Sequence, residues 1–159
     1  MHYYSERYLT TFLFSTAVLS VFKGARQDTA QKPEVGGQLF GTFDGGQVAV
    51  TTATITPSPS KKRFLFFPTR AREQKDIDER FADGLHYLGD WHTHPEMTPT
   101  PSSRDLKTMT ECFRKSKHEL RAFLMVIVGL APVDAGLWVG LLSENAERLH
   151  LSRQNQQTT

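Results

Sequence analysis

"GDWHTHPEMTPTPSSRD", residues 89–105, leaves a strand, crosses a proline-rich loop and enters a helix. The residues before it, "LHYLGDWHTH" (85–94), read as a strand. Pro95 ends that strand, because its ring fixes φ and removes a hydrogen-bond donor. From Ser102 onward "SRDLKTMTECFRKS" reads as a helix, with Ser102 at the cap. His92 and His94 are two apart, so the strand period sends both imidazoles to one face. Asp105 falls in the first helical turn, from which it can point back at the strand end.

Toward the N-terminus, "ERYLTTFLF" (6–14) is rich in aromatic and β-branched residues and reads as a strand or extended lead-in. Ser15 caps a helix through "TAVLSVFKGAR" (16–26), with Val18, Leu19 and Phe22 facing a core. "EVGGQLFGTF" (34–43), the turn "DGG" and "QVAVTTATIT" (47–56) read as a hairpin, bracketed by glycine pairs at 36–37 and 45–46. "RFLFF" (63–67) is a short strand. "TRAREQKDIDERFAD" (69–83) is an amphipathic helix carrying Ile77 and Phe81, closed by Gly84. "RAFLMVIVGL" (121–130) has the near-continuous apolar run of a strand buried on both faces, and "GLWVGLLS" (136–143) is another strand. Strands interleaved with three helices give an α/β (α+β) class, with a single domain over residues 1–150 and a polar tail, 151–159, expected to fray.

The length of 159 residues suits one domain. A net charge of +2 argues against a dedicated nucleic-acid binder, which needs a stronger basic stripe. Clusters such as Lys61-Lys62-Arg63 and Arg70-Ala71-Arg72 read as solvated faces. The single cysteine, Cys112, excludes an internal disulfide and reads as a structural thiol. The longest uncharged run near the N-terminus, Tyr8 to Phe22, is shorter than the ~20 residues a membrane span needs. No basic leader precedes it, so the chain reads as soluble and cytoplasmic.

Each residue of the opening stretch also has a plain structural explanation. Ser102-x-x-Asp105 is a capping-box spacing. A lone His92 or His94 is an ordinary hydrogen-bonded histidine, and His2, His86, His118 and His150 keep that reading. Together, two histidines and a carboxylate make a three-residue ligand set, which suits a catalytic zinc with its fourth position open. The same set also matches the facial triad of iron oxygenases. A metal-activated water needs a proton acceptor, and Glu34 is the candidate. It directly precedes a Gly-Gly step, where backbone can approach a neighbour closely.

At this point the sequence resembles the JAMM metalloproteases, also called JAB or MPN-plus. Their pattern is a glutamate on an early strand, H-[ST]-H-P, then a serine and, three residues on, an aspartate. Glu34, His92-Thr93-His94-Pro95, Ser102 and Asp105 fill every position, and the likeness spans roughly residues 10–145. The resemblance implies a single-layered mixed β-sheet flanked by helices, of the MPN/JAB1-like, cytidine-deaminase-like kind. It implies that His92, His94 and Asp105 bind Zn2+, that Glu34 is the general base and that Ser102 is an oxyanion donor. It implies a protein substrate: the C-terminal tail of a ubiquitin-like protein, cleaved at a peptide or isopeptide bond. "EVGGQLFG", "IDERFADG", "YLGDWHTHPE" and "TPSSRD" are similar to the JAB peptidases of bacterial CBASS antiviral operons. There the conjugated protein is a cGAS-like nucleotidyltransferase (CD-NTase).

Eukaryotic relatives carry large insertions that clasp ubiquitin. This chain has one modest segment, residues 57–84, and specificity for eukaryotic polyubiquitin linkages is not expected. Two other readings remain open. One is a peptidase of another bacterial ubiquitin-like or sulfur-carrier pathway. The other is a non-catalytic MPN-type binding module, which typically lacks some of the ligands present here.

Overall fold

The computed structural model describes residues 1–28, 32–56, 70–145 and 148–154. Strands β1 (His2–Ser5) and β2 (Thr10–Phe14) lead into helix α1 (Thr16–Ala25). A hairpin follows, β3 (Gly36–Asp44) and β4 (Gln47–Ala53), turning at Gly45 and Gly46. Then come helix α2 (Arg70–Ala82), β5 (His86–Thr93), helix α3 (Ser103–Lys115), β6 (Phe123–Val128) and β7 (Leu137–Leu142). The short strands β8 (Arg148–His150) and β9 (Ser152–Gln154) end the described chain. "RFLFF" (63–67) and Lys61–Arg63 lie outside the described residues. Among the described residues no helix is long and apolar enough to cross a membrane.

Local chemistry sets the element ends. The Ser15 hydroxyl accepts the Val18 N–H at 3.3 Å and starts α1, which buries Val18 and Phe22 four residues apart. α2 stops in a Schellman motif: Leu85 N–H donates to the Arg80 carbonyl at 2.9 Å, Gly84 N–H to that of Phe81 at 3.0 Å. One expectation for α2 fails. Phe81 does not join a core; it is 64% exposed and rests edge-on against His86.

The nine strands form one mixed sheet in the order β8-β7-β6-β5-β3-β4-β2-β1-β9. The β2–β4 and β5–β6 pairs are parallel and the others antiparallel. Both ends of this order come from one segment, residues 148–154. Its first half pairs with β7 and its second with β1. Leu151 lies between the halves, buried, and its N–H donates to the Val139 carbonyl at 2.9 Å. This one segment therefore links the two ends of the sheet and covers part of each outer edge. Residues 152–154 were expected to fray; they are the closing strand, held by β1.

Two cores lie on opposite faces. The larger gathers Phe14, Leu39, Val50, Trp91, Val126 and Val139 around α1. The smaller sets Met109 and Phe113 of α3 over Phe123, Met125 and Ile127. β6 alternates between them, so all six of its residues are buried, as its apolar run implies. β5 also divides: Trp91 enters the α1 core, and alternation turns His92 to the α3 face.

Candidate metal centre

The end of β5 is fixed from both sides. His92 pairs with Gly36 of β3 and with Ile127 of β6. His94 continues the line, its N–H donating to the Val128 carbonyl at 2.9 Å. Between them Thr93 is fully buried. Its N–H donates to the Val35 carbonyl at 2.8 Å, and its hydroxyl accepts the Val35 N–H at 3.0 Å. These two bonds bring Glu34, one residue earlier, beside the histidines. The Gly-Gly step is what permits the approach: a Cβ on Gly37 would stand 2.0 Å from the Thr54 carbonyl oxygen, and one on Gly36 2.6 Å from that of Trp91.

The loop after Pro95 docks on the end of β6. Leu130 N–H donates to the Glu96 carbonyl at 2.7 Å, and Pro99 packs where a Cβ on Gly129 would stand. This delivers Ser102 and α3. Ser102 and Asp105 form a full capping box. Asp105 N–H donates to the Ser102 hydroxyl at 3.2 Å; the Ser102 N–H and hydroxyl each donate to Asp105 Oδ2 at 2.7 Å.

The capping explanation of Asp105 is therefore correct, and it coexists with a place beside the histidines. His92 Nε2 and His94 Nε2 are 3.1 Å apart. Asp105 Oδ1 lies 3.4 Å from the first and Oδ2 3.4 Å from the second. The two Nε2 atoms and the Asp105 carboxylate, one oxygen facing each imidazole, are close enough to converge on one ion. One donor atom each from Glu34, His92 and His94 also lie within 4.8 Å of one another. Two carboxylates thus flank one imidazole pair. Asp105 faces each imidazole at 3.4 Å, and Glu34 stands beside the same pair.

The two carboxylates sit in different electrostatic surroundings. Burial raises the Glu34 carboxyl above its ordinary range, opposed by the two histidines. Burial acts upward on Asp105 too, but the rings of His92 and His94 and the Ser102 hydroxyl outweigh it and hold the carboxyl far below its usual value. For His94, burial favours the neutral ring, yet Asp105, Glu34 and Glu96 together raise its pKa.

Every residue singled out in the sequence is brought to this one place, although the Ser102 hydroxyl is engaged with Asp105. The remaining histidines stay apart from it. His118 bonds the Phe113 carbonyl at 2.9 Å, His150 stacks on Trp138, and His86 meets Phe43 and Phe81. The Cys112 thiol is half-buried near Ser116 and pushed up by burial, as suits a structural role. Two neighbours carried no signal beyond their spacing. Asp90, two residues before His92, accepts the Tyr87 hydroxyl at 2.9 Å. Glu96, two residues after His94, stands with Oε2 4.0 Å from His94 Nδ1.

Comparison with known proteins identifies the family. The family described as prokaryotic homologs of the JAB domain matches residues 21–139. A protein of Enterobacter hormaechei subsp. hoffmannii named CD-NTase/cGAS isopeptidase is 31% identical over 105 residues, covering 64% of this chain and 58% of that protein. One of the same name from Pseudomonas aeruginosa is 31% identical over 124 residues, covering 76% and 78%. A probable metalloprotease of Sinorhizobium fredii is 29% identical over 121 residues, covering 71% and 74%. The fold is shared with a solution structure from Desulfitobacterium hafniense, TM-score 0.63 at 16% identity, over 91% of this chain and 90% of that one. Another, from Salinibacter ruber, has TM-score 0.54 at 19% identity, over 90% and 88%. Metalloprotease chemistry implies a bound metal ion, and the donor set at the end of β5 fits one. The chain belongs to the family of prokaryotic homologues of the JAB domain.

Proposed function

We infer that this chain is a zinc-dependent isopeptidase that removes a ubiquitin-like conjugate in bacterial anti-phage defence. Its substrate is the bond joining the C-terminus of a cGAS-like nucleotidyltransferase to a target protein. The observation that carries the metallopeptidase reading is the meeting of His92, His94 and Asp105, the two Nε2 atoms 3.1 Å apart and one Asp105 oxygen 3.4 Å from each, with Glu34 beside them. The names of the Enterobacter and Pseudomonas relatives support the substrate. The single cysteine fits a cytoplasmic site of action.

His92, His94 and Asp105 would hold the zinc ion, which would supply Lewis acidity for the scissile carbonyl and for the attacking water. Glu34 takes the proton of the attacking water and returns it to the leaving amine. Its raised pKa suits a group that must both accept and release a proton near neutrality. Ser102 stabilises the oxyanion after its hydroxyl hydrogen turns away from Asp105 Oδ2.

The test is zinc content with cleavage of a nucleotidyltransferase tail joined through an amide to a reporter protein. Wild type should hold about one zinc per chain, as a single four-coordinate site requires. Glu34→Gln should keep the zinc and lose roughly 10²–10⁴-fold in rate. Asp105→Ala should lose zinc and activity together. Undiminished cleavage by Glu34→Gln would sink the assignment of the base, and full zinc in Asp105→Ala would leave Asp105 a capping residue only.

A further inference from the structure

The two histidines face each other through Nε2. That leaves Nδ1 of each ring on the far side. A neutral imidazole that gives Nε2 to a metal carries its one hydrogen on Nδ1, and that hydrogen needs an acceptor to fix the tautomer and the ring angle. For His94 the acceptor at hand is Glu96, whose Oε2 stands 4.0 Å from Nδ1. Glu96 is held on both backbone and side chain. Its carbonyl accepts the Leu130 N–H at 2.7 Å. Its Oε2 accepts the Thr100 N–H at 3.3 Å. The first bond ties the residue to the end of β6. The second closes the loop over itself and restrains a side chain that is 54% exposed on the Nδ1 side of the ring. The gap is about 1 Å longer than an ordinary hydrogen bond.

We propose that Glu96 is a positioning residue for the metal centre: it accepts the Nδ1 hydrogen of His94 and holds the ring with Nε2 toward the metal. This rests on the reading of His94 as a ligand. The same loop that spaces the histidines from α3 thereby supplies the outer partner of one of them, and Pro95 sets the geometry between ligand and partner.

The experiment measures zinc affinity of the whole chain by competition with a chromophoric chelator, and the melting temperature of each metal-free variant. Glu96→Ala should bind zinc about 10–100-fold more weakly, with the metal-free melting temperature unchanged. Glu96→Gln should recover most of the loss, since its amide oxygen still accepts from Nδ1. An affinity for Glu96→Ala within twofold of wild type overturns the proposal. So does a loss that Glu96→Gln fails to repair and that runs parallel to a fall in metal-free melting temperature, because the loop has then failed rather than the ring. His94→Ala separates the two levels. If it binds zinc as wild type does, the ligand reading falls and this proposal falls with it. If it loses zinc while Glu96→Ala keeps it, this proposal alone falls.

Discussion

Asp105 shows how one residue satisfies two demands. Oδ2 takes both Ser102 donors and finishes the helix cap, while Oδ1 turns to His92. Ser102→Ala should therefore cost about 0.5–2 kcal/mol of stability, the usual loss of a cap. It should also weaken zinc binding, both readable from melts with and without metal. Protons compete for the same site. His94 must be neutral to ligate, and its pKa is raised, so zinc affinity should begin to fall with acidification above the ordinary histidine range. Equilibrium titrations at stepped pH check this. Asp90 carries a separate pH signature. Burial pushes its carboxyl up to about 6 from 3.8, against the Tyr87 hydrogen bond and His92. The folded state therefore holds this proton more tightly than the unfolded state between those values. Its contribution is present below about pH 4, falls as pH rises toward 6 and does not return above. Asp90→Asn in metal-free protein should be more stable than wild type at pH 7.5, by up to about 3 kcal/mol at 1.36 kcal/mol per unit. At pH 4 the two should melt alike. The ligand set was legible in the sequence because its spacings are local: two residues on a strand, then a helix first turn. Asp90 and Glu96 were not, because burial and the docking of a loop decide what their carboxylates meet.

Among the elements, β5 departs most from its expected pattern. Strict alternation would put Leu88 on the face of Asp90 and His92. Instead Leu88 and Trp91, three apart, share the α1 core, while Tyr87 reaches Asp90 on the other side. The cause is a register slip against β3 between Leu39 and Phe40, with Gly89 at φ 148. A side chain there is excluded twice, by that φ and because a Cβ would stand 1.9 Å from the Leu124 carbonyl. Gly89→Ala should break the β5–β6 pairing that carries the histidines, lowering both the melting temperature and zinc stoichiometry. Retention of full zinc in a folded Gly89→Ala would show that the slip is dispensable. Helix ends were legible, since Ser15, Ser102 and Gly84 act on their own neighbours. The slip was not, because it depends on a strand fifty residues away in the chain.

At the scale of the whole molecule, the order of strands required information that no local pattern holds. The apolar run of β6 announced burial on both faces, but not that its neighbours would be β5 and β7. The polar composition of the tail hid its role, because Leu151 alone is buried among its described residues and the strand after it faces water. Leu151→Ala should cost about 2–5 kcal/mol, as for a central core leucine, measured by denaturant unfolding. A value near zero would mean that closure adds little.

That closure also sets a timetable. β1 and β9 meet in the register His2↔Gln154, the strand pairing with the greatest separation along the chain among the described residues. Such contacts carry the largest loop-closure entropy and tend to form after local ones. The hairpin of β3 and β4 and the helix caps can assemble early, whereas the seam at residues 148–154 has to wait for both partners. Leu151→Ala should accordingly speed unfolding and leave the refolding rate almost untouched, making the seam a latch on the lifetime of the folded protein rather than a guide to its formation.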